Sequence, residues 1–160
     1  MRATIGAAVM TLYEFLKFLH VLFAIVAVGF NLSYGYWLSR VPNDPERAAG
    51  FLRGVKALDD RFANPAYVLL LLTGLGMVFE ADIPFSTFWI WASLVLYGAV
   101  VLGGLLVFTP TLRRQVALAD AGSVRTDAYR AVAVRGGIGG GMVTALVVII
   151  VFFMVTKPTL

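Results

Sequence analysis

The chain is 160 residues long, 60% hydrophobic and 14% charged, with a mean hydropathy of +0.87. That balance excludes an ordinary water-soluble domain, which carries more charge and shorter apolar runs. The net charge of +4 would suit a nucleic-acid binder, but the cations gather in two loops between apolar runs, where membrane topology accounts for them.

Four segments are apolar and long enough to cross a bilayer, which takes roughly 20 residues of helix: residues 12–38, 62–80, 85–109 and 136–156. None alternates apolar and polar residues as a transmembrane β-strand does. The expected fold class is therefore an all-α membrane protein, one four-transmembrane-helix bundle over residues 1–160. The first span begins too late and runs too long for a cleaved signal peptide, so an uncleaved anchor is expected.

After the first span, Asp44-Pro45-Glu46 reads as a helix start, with a capping side chain, a first-turn proline and a carboxylate at the positive dipole end. An amphipathic helix over 45–62 follows, with Phe51, Val55, Leu58 and Phe62 on one stripe. It reads as an interfacial helix or, preferably, as an extension of the second span beyond the membrane. Asn64-Pro65 then marks a kink or a restart. The connection through Asp82-Ile83-Pro84 is so short that the second and third spans should form an antiparallel hairpin. Beyond Pro110, residues 111–121 extend the third helix until Gly122-Ser123 breaks it.

Arg40, Arg47, Arg53, Lys56 and Arg61 lie between the first two spans, and Arg113, Arg114, Arg125, Arg130 and Arg135 between the last two. The positive-inside rule makes both loops cytoplasmic and both termini external, with Arg2, Lys17 and Lys157 at or near the outer end. Tyr13, Trp89 and Trp91 then belong to the outer interface, and Tyr34, Tyr36 and Trp37 to the inner one.

Gly136-Gly-Ile-Gly-Gly-Gly141 lacks the Lys-Ser/Thr of a phosphate loop and follows no strand. Gly136 with Gly140, and Gly137 with Gly141, have the spacing that lets membrane helices approach closely, and Gly103-Gly104 is read the same way. With no cysteine there is no thiolate, disulfide or iron–sulfur site. One histidine cannot build a zinc motif.

That histidine, His20, lies in Lys17-Phe-Leu-His20 at the edge of an uncharged run. Ionisable groups at membrane depth are costly and usually partnered. His20 shares a helical face with Ala24, Ala27, Asn31 and Tyr34, a polar and small-residue stripe that should face the bundle. Met77 lies three residues in from Glu80 and Met154 three in from Lys157, at a depth matching His20. Such a set suits haem iron or copper. The plainer alternatives are a hydrogen bond from His20 to another helix and methionines that fill the core.

The chain resembles a bacterial family of predicted four-helix integral membrane proteins whose domain has no assigned function. Leu16-Lys17-Phe-Leu-His20, Leu71-Leu-Thr-Gly74 and Thr156-Lys157-Pro158 carry the likeness. More distantly the chain resembles HemJ-type protoporphyrinogen oxidases and the copper-resistance protein D membrane domain. The resemblance implies a bacterial plasma-membrane location, and its HemJ-type part implies haem b with His20 as a ligand. Bis-histidine ligation within one chain is excluded.

Three readings follow, in this order: a non-catalytic membrane accessory or interaction protein, as a homo-oligomer or within a larger complex; a haem b protein using His20, with Met77, Met154 or an open position as the other axial site; and a copper-handling protein using the same residues. The lipid bilayer is the expected partner and nucleic acid is not. A transporter is disfavoured, because no span is interrupted at its midplane beyond Asn31 and Ser33.

Overall fold

The computed structural model describes residues 10–41 and 44–159. Among them every regular element is helical: α1 Leu12–Arg40, α2 Ala48–Leu58, α3 Asn64–Glu80, α4 Phe88–Gly103, α5 Thr109–Asp120 and α6 Asp127–Thr156. Arg2, counted above among the charges, lies outside the described residues. Four continuous helices are long and apolar enough to cross a membrane: Leu12–Arg40, Ala48–Glu80, Phe88–Asp120 and Asp127–Thr156.

The continuity of the second and third of these rests on π-helical turns. Asp59–Ala63 joins α2 to α3 and Gly104–Phe108 joins α4 to α5. Each turn ends one residue before an X-Pro pair, Asn64-Pro65 and Thr109-Pro110. Proline lacks an N–H, and its ring collides with the carbonyl four residues back in a regular helix. A π turn widens the ladder locally and removes the collision. Asn64 N accordingly bonds to Asp59 O, and Thr109 N to Gly104 O. The helix therefore runs on through Asn64-Pro65 without the restart that was one of the two expectations there.

Local chemistry accounts for the helix ends. At the start of α1, Thr11 and Glu14 form a reciprocal capping box, with Glu14 N on Thr11 Oγ1 at 3.2 Å and Thr11 N on Glu14 Oε2 at 2.9 Å. Asp44 Oδ1 accepts from Arg47 N at 3.3 Å, but the helix begins only at Ala48. Gly122, at φ 68°, ends α5 in the left-handed region that glycine enters without strain.

α1 packs chiefly on α3, α4 on α6, and α5 on α6 and α2, with α6 also touching α1. The expected hairpin pair is splayed: α3 and α4 make no close backbone approach among the described residues. They meet through side chains, where Tyr97 donates its hydroxyl to the Tyr67 carbonyl at 3.0 Å.

The main core lies at the Arg-rich end. Val41, Ala48, Leu52 and Val55 pack there against Leu112, Ala119 and Tyr129, with Tyr34 reaching in from α1. The buried face of α2 is Ala48, Leu52 and Val55, running on to Asp59, one position round from the stripe read from the sequence. Phe51 and Leu58 are only half-buried and Phe62 is 51% exposed. These three instead line an open groove with Trp37, Gly54 and Arg61. Tyr34 is buried in the core, stacked on Phe108 with ring centroids 5.8 Å apart.

Arg53 and Asp120 tie α2 to α5 by an ion pair of 2.7 Å between exposed side chains. Exposed pairs contribute about 0–1 kcal/mol and are screened by salt. Asp120→Asn should therefore cost under about 1 kcal/mol, and the loss should shrink in high-salt unfolding titrations.

Candidate functional site

The α1–α3 seam carries polar groups in three tiers. Steps of three, four and seven residues keep His20, Ala27, Asn31 and Tyr34 on one face of α1, and that face meets α3.

The first tier is His20. Its Nδ1 lies 2.9 Å from the Leu70 carbonyl and 3.2 Å from Thr73 Oγ1. A carbonyl only accepts, so Nδ1 carries the proton and donates to it. Thr73 Oγ1 itself donates to Leu69 O at 2.7 Å, which keeps the hydroxyl oriented along its own helix. Gly74 makes the approach possible, because a Cβ there would stand 2.9 Å from His20 Cε1. Gly76 does the same for Leu16, at 3.2 Å. The two helices are locked together by a ring set into a glycine gap. No hydrogen bond reaches Nε2.

In the second tier, Asn31 Nδ2 donates to the Tyr67 hydroxyl. Tyr67 also packs against Tyr97, with ring centroids 6.5 Å apart. The third tier is Asp59, in the first π turn and only 7% exposed. Asn64 Nδ2 donates to its Oδ2 at 3.3 Å. Among the described residues no arginine or lysine closes an ion pair with Asp59, and Lys56 is bonded to Asp60 instead.

The seam therefore unites His20, Asn31 and Tyr34 as their shared face implied. Met77 and Met154 are both half-buried, and no hydrogen bond joins either sulfur to His20. Glu14 is engaged in the α1 cap. Lys157 at the end of α6 lies over the Trp89 ring, 5.3 Å from its centroid. Asp59 is the group that sequence reading missed. Extending the register Ala48, Leu52, Val55 by four residues would have found it.

Among the grooves that open on the bundle are two of similar size. One, of about 410 Å³, is lined by residues from Trp37 to Phe62, and the other, of about 350 Å³, by residues from Leu106 to Arg135. His20 lines neither. Its ring is seated over Gly74. Among the described residues no group of three or more His, Asp or Glu could hold a metal ion.

A family model described as "Predicted integral membrane protein (DUF2269)" matches residues 14–158. No curated protein matches the chain, and no solved structure does.

Proposed function

Since the chain belongs to that DUF2269 family of predicted integral membrane proteins, we propose that it serves as a non-catalytic membrane module, held in a bacterial plasma membrane with both termini outside. In this role His20 is the polar lock of the α1–α3 seam. The observation that carries the reading is the commitment of Nδ1 to Leu70 across a glycine gap. The partner-facing surface is the outer side of α1, where Phe15, Phe18, Val21, Leu22 and Ile25 are all exposed. A homo-oligomer or a larger membrane complex would cover it.

Nε2 is the one feature that keeps a ligand role open, since a carbonyl-bound Nδ1 is also how ligating imidazoles are oriented. The decisive experiment is an absorption spectrum and metal analysis of the protein purified in mild detergent, with His20→Ala alongside. The expected result is a colourless, copper-free wild type, and a variant less stable by about 1 kcal/mol, the scale of one hydrogen bond between membrane helices. A Soret band or stoichiometric copper that disappears in His20→Ala overturns the proposal.

A further inference from the structure

We propose that Asp59 is a proton-binding site, a buried carboxylic acid that exchanges a proton at the Arg-rich face of the bundle. The reasoning is independent of His20 and of the role proposed above.

Three observations on the geometry converge. Asp59 is the only buried acid among the described residues, at 7% exposed. It has no ion-pair partner, and a buried carboxylate without one is costly unless it is neutralised. The Tyr34 hydroxyl, on a residue 3% exposed, is screened from solvent and among the described residues closes no hydrogen bond of regular geometry. It stands beside Asp59, close enough for the two side chains to act on each other through charge and as hydrogen-bonding neighbours. A buried oxygen beside a buried carboxyl is what a shared, exchangeable proton requires.

The surrounding groups favour a proton over a metal ion. Facing Asp59 are Tyr34 from α1, Lys56 from α2, Asp60 in its own turn and Asn64 at the start of α3, and Tyr67 of α3 is within electrostatic reach. Asn64 presents its NH₂ to the carboxylate, and Lys56 is held by Asp60. Hard cations take about six oxygen ligands, and these neighbours do not supply them. A proton needs one acceptor. Asp59 also lies in a π turn, a local widening of the helix often found at functional sites.

The test is infrared spectroscopy of the full chain in lipid nanodiscs at neutral pH, with sodium and choline buffers run in parallel. Wild type should show the carbonyl stretch of a protonated carboxylic acid. The band should move in heavy water, be the same in both buffers and vanish in Asp59→Asn. Tyr34→Phe should keep the band but raise its frequency, because the hydroxyl that shares the proton is gone. A band indifferent to Asp59→Asn overturns the proposal, and so does one that appears only without sodium. Should Asp59→Asn fail to fold, Tyr34→Phe decides, and an absent or unmoved band in that variant rejects the site.

Discussion

Leu52→Ala should lower the unfolding free energy by about 2–5 kcal/mol, the range for truncating a buried leucine. Leu52 is 0% exposed and lies in the cluster built from α2, α5 and the start of α6. Arg53, Arg113, Arg114 and Arg130 surround that cluster and are exposed, so this end of the bundle meets water or headgroups rather than hydrocarbon. The full hydrophobic effect therefore acts on it. Between helices within lipid that driving force is absent and only packing remains. Val147→Ala, at 5% exposed in the middle of α6, should accordingly cost clearly less than Leu52→Ala. Denaturant or detergent titration of both variants measures the difference, and equal losses would contradict this account of the core.

Gly139→Ala should destabilise by about 1–3 kcal/mol through overpacking. A Cβ at Gly139 would stand 2.5 Å from Val107 Cγ1 and 3.3 Å from its Cβ. Valine is short and stiff at χ1 and cannot swing aside, so α6 would have to move off the second π turn. Gly137→Ala is the matched control. A methyl there meets nothing within 4 Å, and alanine is the better helix former. The control should be neutral or slightly stabilising in the same titration.

These glycines also show how far sequence spacing reaches. Two staggered pairs, Gly136 with Gly140 and Gly137 with Gly141, are equivalent by spacing. Only the first packs: Gly136 faces Gln115 and Thr111, and Gly140 faces Phe108, whereas Gly137 and Gly141 are open. Gly103 meets Val143 while Gly104 meets nothing. Spacing shows that a close approach is possible. The partner helix decides which face uses it.

The seam follows the same division. The stripe His20, Ala24, Ala27, Asn31, Tyr34 was legible because helical periodicity is local and lipid penalises polar groups on the outside. Its partners Leu70, Thr73, Gly74 and Tyr67 lie tens of residues away, and no local rule chooses them. Asp59 was obscured because the stripe on its helix was read one position away, from Phe51 and Phe62, whose rings line an open groove instead.

From sequence alone came the four spans, the all-helical class, the single histidine and its inward face. In hydrocarbon the backbone must satisfy its own hydrogen bonds, so long apolar runs become helices whatever surrounds them. The tertiary structure decided that α3 packs on α1 rather than closely on α4, and that two prolines are absorbed by π turns rather than breaks. It also placed an unpaired carboxylate in the interior. Those outcomes depend on side chains remote in sequence fitting one another, which the periodicity of any one helix does not encode.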